Sequence, residues 1–213
     1  AVIMAVAVWW LLRHSFNVKP WVDERQLTDA PGVESLSLPT IKVGLGVFLA
    51  VATSLFALFI SAYLMRRQGA DWQPLAQPMV LWGNTALLVV GSVFFQRASN
   101  AAKAAQIDGV RNGLIAGGIC TAAFLAGQLL AWQQLNAAGH YLTTNPANSF
   151  FYLLTAMHGL HLLGGLWVWS RTTFKVLRGA SVGDVQMSVE LCTIYWHFLL
   201  VVWLVLFGVL LFT

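Results

Sequence analysis

Between Ile41 and Phe212 the chain carries five apolar runs, each long enough to cross a membrane, and a shorter sixth at Ala1 to Leu12. About 20 apolar residues in a helix span the roughly 30 Å of bilayer hydrocarbon. Hydrocarbon offers no partner to a free backbone N–H or C=O, so each run has to be a continuous helix. The runs lie at about 1–12, 41–64, 79–95, 113–135, 149–170 and 188–212, which predicts an all-α, polytopic transmembrane helix bundle forming one domain over 1–213. Turn chemistry separates them at Asp29-Ala30-Pro31-Gly32, Gln77-Pro78 and Asn145-Pro146. Hydrophobic residues make up 58% of the chain and charged residues only 9%, against about 25% charged in a soluble domain.

The few charges orient the bundle. Arg13, Lys19, Arg25, Lys42, Arg97, Lys103, Arg111, Arg171, Lys175 and Arg178 fall on one side, and only Arg66 and Arg67 on the other. The positive-inside rule makes the basic side cytoplasmic and the C-terminus periplasmic. It also accounts for the formal charge of +4, with no basic run that would engage nucleic acid. Location in a bacterial inner membrane follows. Ala1 starts a run too short to span, so the reading is of an N-terminus truncated or preceded by a further helix; a signal-peptide remnant fits less well. Cys120 and Cys192 both sit in apolar runs and read as core-filling thiols.

Ionisable groups at bilayer depth are costly and face protein or water. His158 and His161, three apart and so on one helical face, lie in the fifth run, and His197 lies at similar depth in the sixth. Such histidines can ligate haem or a metal, carry protons, or hydrogen-bond between helices. No Asp or Glu occupies the middle of any run, so a proton wire would lack carboxylate relays, and hydrogen bonding is the favoured role. The expected polar seam joins His158, His161, Glu190, Tyr195, His197 and Gln128, with His161 and His197 within reach of each other. Gln128 should bond to a neighbouring helix. Glycines at 44, 46, 117, 118, 159, 164 and 165 would let helices approach closely. Arg13, His14, Arg66, Arg67 and Trp196 are candidates for contact with phospholipid, and Trp196 and Trp203 form a packing or lipid-facing stripe.

These residues resemble subunit III of the haem–copper oxidases, the cytochrome c oxidase subunit 3 family. The motifs are Phe151-Tyr152-x-Leu154-Thr155-x-x-His158-Gly159-x-His161, then Gly164, and Glu190 with Tyr195-Trp196-His197-Phe198 and Trp203. Supporting matches are Lys42-x-Gly44, Phe48-Leu49-Ala50, Ala62-Tyr63-Leu64, Asn84-Thr85, and Phe124-Leu125 with Gln128 and Trp132. The resemblance covers about Ile41 to Thr213. It implies a subunit without catalytic residues, haem or copper of its own, bound to the catalytic subunit I beside subunit II, whose complex reduces oxygen and pumps protons. It also implies a phospholipid-holding cleft, and five or seven helices, so that a seven-helix member without its first helix would give six. Where the family carries acidic groups within the membrane, this chain has Ala52, Ala131 and Leu200. Each departure removes a carboxylate and favours packing and lipid binding over proton handling. Partnership with a quinol oxidase or a nitric oxide reductase is the alternative within the class. A haem b-binding anchor using His158 or His161 with His197 is the rival from another class, and a transporter fits less well without broken helices or an inverted repeat.

Overall fold

A computed structural model of the protein describes residues 40–73 and 79–211, and within them every regular element is a helix. These are α1 (Thr40–Arg66), α2 (Val80–Lys103), α3 (Ile107–Ala137), α4 (Pro146–Leu177) and α5 (Val182–Leu211). The expected helix at 1–12, with Arg13 and His14, lies outside the described residues, as does the turn at Gln77-Pro78.

Four of the helices, α1, α3, α4 and α5, are apolar and long enough to cross a membrane by length and composition. The fifth, α2, is long enough but less apolar. Its 24 residues include Asn84, Thr85, Ser92 and Ser99, and rise about 36 Å at 1.5 Å per residue. It tolerates this polarity because Asn84, Ser92 and Ser99 face its neighbours: α2 packs on α3 and α5, and α4 packs on the same two, closing a four-helix ring. Helix α1 lies outside that ring. Only Ala52, Phe56 and Tyr63 of its 27 residues are buried, against nine of 24 in α2.

The helices overrun the apolar stretches at the end bearing the basic loops. Helix α2 continues from Phe95 to Lys103, α3 starts at Ile107 instead of 113, and α4 runs on past Ser170 to Leu177. An apolar run measures hydrocarbon, whereas a helix continues as long as something packs against it. Small residues provide that packing here. A Cβ placed on Gly113 would lie 2.8 Å from the Cβ of Ala98, and one on Gly109 2.7 Å from that of Ala101. The α2–α3 hairpin therefore zips up beyond the membrane boundary.

Three helix ends share one geometry. After α3, the N–H of Gly139 donates to Asn136 O and that of His140 to Leu135 O, with Gly139 at φ +82°. The end of α4 repeats this around Gly179, at φ +83°. Paired bonds of this kind satisfy the last carbonyls and need a left-handed residue, for which glycine carries no steric cost. The end of α2 makes the same bonds around Ala105 at φ 55°, where the side chain costs about 1 kcal/mol.

At the opposite end, Asn145 is both a helix cap and a clasp. Its Oδ1 accepts from Ala147 N at 3.1 Å, capping α4, with Pro146 in the first turn. The same amide donates to Gln73 O at 2.6 Å and accepts from Gln73 N at 3.4 Å. The loop leaving α1 is thereby tied to the start of α4.

Candidate functional site

The interior of the ring is aromatic, and His158 sits inside it. Its imidazole is fully buried, with ring centroids of Trp203 at 5.3 Å, Phe124 at 5.9 Å and Phe56 at 6.4 Å. Neither ring nitrogen has a protein hydrogen-bond partner. Trp203 is the hub. It is fully buried, donates from Nε1 to Thr85 Oγ1 at 2.9 Å, meets Phe124 edge-on at 4.9 Å, and stacks on Phe207. Helices α1, α2, α3, α4 and α5 all contribute to this cluster through Phe56, Thr85, Phe124, His158 and Trp203.

A second layer joins α1 to α4 and α5. Phe48 reaches His161 and Tyr195 at 6.4 and 6.0 Å between centroids, and Phe56 reaches His161 at 5.2 Å. The Tyr195 hydroxyl donates to His161 O at 2.9 Å, a direct tie between α5 and α4. Nearer the basic end, Lys42 Nζ pairs with Glu190 Oε1 at 2.7 Å, with the two side chains 29% and 32% exposed. This ion pair links α1 to α5 across 148 residues. A third tie, Trp132 Nε1 to Thr155 Oγ1 at 3.1 Å, connects α3 to α4.

Two expected contacts are replaced. Instead of bonding each other, His161 and His197 each donate from Nδ1 to their own helix, to Met157 O and Thr193 O, both at 2.7 Å. A carbonyl four residues back is always at hand in a helix, so it takes the proton locally. Gln128 is buried with both amide atoms unpaired, although it was expected to bond a neighbour. Next to it in the chain, Gly127 is approached closely by Asn84 of α2, whose Nδ2 is unpaired too.

The lipid-contact candidates also separate. Trp196 is 3% exposed, stacks on Phe95 at 5.0 Å with 3° between planes, and donates Nε1 to Cys192 Sγ, so it faces the core and not lipid. Arg66 is already engaged, through two bonds to the Asp71 carboxylate. Those bonds hold the Asp71 carboxyl below its ordinary range. Arg67 is exposed and pairs with no carboxylate among the described residues. Of the glycines, Gly117 meets Phe95, Gly118 meets Trp169 and Gly165 meets Tyr195 as close approaches. Gly44, Gly46 and Gly164 have nothing among the described residues within 4 Å of a built Cβ, so they mediate no approach there.

The same seam residues fall inside a long sequence match. Residues 33–213 match the family described as Cytochrome c oxidase subunit III. The chain belongs to that family. Cytochrome c oxidase subunit 3 of Thermostichus vulcanus is 30% identical over 173 residues, covering 79% of this chain and 85% of the relative. The corresponding protein of Synechocystis sp. is 33% identical over 177 residues, 77% of this chain and 72% of the relative. A probable cytochrome c oxidase subunit 3 of Mycobacterium tuberculosis is 28% identical over 186 residues, 84% and 92% of the two chains. This chain is thus a membrane helical bundle of the subunit III family, a component of a multi-subunit oxidoreductase.

Within this family member, two of the positions lacking a carboxylate are interior: Ala52 is 4% exposed and Ala131 fully buried. Sequence reasoning missed three features: the Lys42–Glu190 pair, the Trp203–Thr85 bond and the Asn145–Gln73 clasp. The last had a local signal, since Asn before Pro at a helix start announces an N-cap. The other two join residues over a hundred positions apart and had none.

Proposed function

We propose that this chain is the non-catalytic subunit III of a proton-pumping terminal oxidase in a bacterial inner membrane. It holds catalytic subunit I in its working form, beside subunit II, and carries structural phospholipid. Haem and copper belong to the partner subunits. The observation that carries this reading is the match over residues 33–213 to relatives named as cytochrome c oxidase subunit 3.

The geometry supports it from within. A structural subunit needs a rigid body with apolar sides and a polar interior spent on packing. Here Trp203, Trp132, Tyr195 and Thr155 use their polar atoms to join helices. His158 is packed against the rings of Phe56, Phe124 and Trp203 at the centre of the bundle. The four described acidic residues, Asp71, Asp108, Asp184 and Glu190, lie at loops or toward helix ends, so no carboxylate relay crosses the bundle. The ten basic residues on one side orient that side to the cytoplasm and the C-terminus outward.

The test is purification of the tagged chain from native membranes, with identification of its companions and an optical spectrum. The expected result is co-purification with haem–copper subunits, and a Soret band that stays with them when this chain is separated. A Soret band carried by the isolated chain and lost on His158→Ala or His197→Ala would overturn the reading.

A further inference from the structure

Three helices turn amide and imidazole groups into the middle of the bundle without pairing them. Among the described residues, eight buried side-chain nitrogen and oxygen atoms have no hydrogen-bond partner, and five of the eight belong to Asn84, Gln128 and His158. All three residues are more than nine-tenths buried, at 3%, 4% and 0% exposure. Such groups are costly away from water unless something bonds them.

The three stand at one level. A Cβ built on Gly127 would strike the Asn84 amide, which places Asn84 of α2 against α3 beside Gln128. On α3, Phe124 and Trp132 lie four residues to either side of Gln128, on the same helical stripe. Both touch α4: Phe124 meets the His158 ring at 5.9 Å between centroids, and Trp132 donates to Thr155 Oγ1 at 3.1 Å. Gln128 sits between these two contacts and so faces α4 between Thr155 and His158. The interface is open nearby, since a Cβ built on Gly159 would meet only Leu125 Cδ2, at 4.0 Å.

The neighbouring polar groups are already engaged. Thr85 Oγ1 donates its one proton to Leu81 O at 2.8 Å, and Thr155 Oγ1 donates to Phe151 O at 2.6 Å. The indole N–H groups of Trp203 and Trp132 donate to those two hydroxyls. No donor remains there for Gln128 Oε1 or for an imidazole lone pair.

The unpaired set is chemically mixed. The amide nitrogens of Asn84 and Gln128 and one nitrogen of a neutral imidazole donate, whereas Gln128 Oε1 and the other imidazole nitrogen accept. A bare cation requires acceptors alone and an anion requires donors alone. Water supplies both.

We infer that Asn84, Gln128 and His158 form an internal water site that bridges α2, α3 and α4 at mid-bundle. Five unpaired atoms, at about three hydrogen bonds per buried water, correspond to about two waters. The site makes through water the interhelical bond of Gln128 that no direct contact makes. It also gives His158 a ligand on its ring edge, while its faces pack on aromatic rings. The inference is independent of which oxidase the chain serves.

The test uses the protein purified from native membranes with the subunits that accompany it. A density map fine enough to show ordered water should place solvent peaks about 2.7–3.2 Å from the Gln128 amide and from Asn84 or His158. Direct pairing of these side chains, with no solvent between them, would overturn the site. Stability gives an independent reading by its sign. Gln128→Met keeps the shape and removes the amide, so a hydrated amide predicts a fall in thermal midpoint of about 2–4 °C, the shift for one lost hydrogen bond in a chain of this size. A rise would mean that the amide was unsatisfied in the native protein, and the proposal would fail. Asn84→Leu should also lower the midpoint, and the two changes together should lower it by less than their sum, because both act on the same water. Strict additivity counts against a shared site.

Discussion

Helices α1 and α2 follow each other in the chain and are held by opposite means. Helix α1 is among the most apolar of the five, yet exposes most of its surface and leans on the rest through Phe48, Phe56, Tyr63 and one ion pair. Helix α2 is the least apolar of the five and far more enclosed than α1, locked to α3 by small residues and to α5 by hydrogen bonds from Trp203 and Thr193. Lipid tails are as apolar as leucine, so apolarity does not drive a helix inward in a bilayer. What draws α2 inside is close packing and the need of its polar groups for partners. In a membrane bundle, hydropathy marks what lipid sees.

That contrast is easiest to break at the hub of the enclosed side. Trp203→Ala removes the partner of Thr85 and empties the space between Phe124 and Phe207. It should cost ~3–5 kcal/mol, read as a fall in the thermal midpoint of the purified protein. Gly113→Leu, which drives a side chain into Phe94 O and Ala98, should cost ~1–3 kcal/mol by overpacking. The matching change on α1, Gly46→Ala, has open space and should alter stability by less than ~1 kcal/mol in either direction. Equal effects at the two glycines would abolish the distinction between the helices.

Smaller changes sharpen it. Phe56→Ala should leave the ring of four helices intact and loosen α1 alone by about 1–2 kcal/mol, seen as faster hydrogen exchange confined to 40–66. Lys42→Gln should do the same more weakly, by under ~1 kcal/mol, because a part-exposed ion pair contributes little. The smallest effect belongs to Asp71. Its folded pKa lies below the ordinary value, so its bond to Arg66 is fully present above that value and fades as pH falls through the depressed one. Asp71→Asn should remove this dependence, measured as limited proteolysis of the 67–73 turn against pH.

The sequence disclosed the helices and obscured their ends. Apolar runs located α1 within two residues at each end, but began α5 and α3 six residues late, because both helices extend past the hydrocarbon stretch. They truncated α2 by eight residues, because Ala98, Ser99 and Ala102 pack on α3 without being strongly apolar. The histidine motif was legible as a place, and His158 does lie at the centre of the bundle. Its partners were not legible: the rings around it come from three other helices, and nothing local to Phe151–Gly165 specifies Phe56 or Trp203. The expected pairing of His161 with His197 failed for a local reason, since a carbonyl one turn back competes better than an imidazole on another helix. Trp196 showed the same limit, because seven-residue spacing from Trp203 fixes a stripe without saying which way the stripe faces.

The hydrogen bond between Trp203 and Thr85 has a consequence for how the protein is made. Helix α2 leaves the ribosome about a hundred residues before α5 is complete, a delay of roughly 5–20 s at ordinary synthesis rates. Through that interval its Asn84, Thr85 and Ser92 have α3 for company and no α5. A segment less apolar than the other four helices is a weaker candidate to leave the translocon unaided. Damage to α5 should therefore be felt as misplacement of a helix 118 residues upstream, whose polar groups it covers.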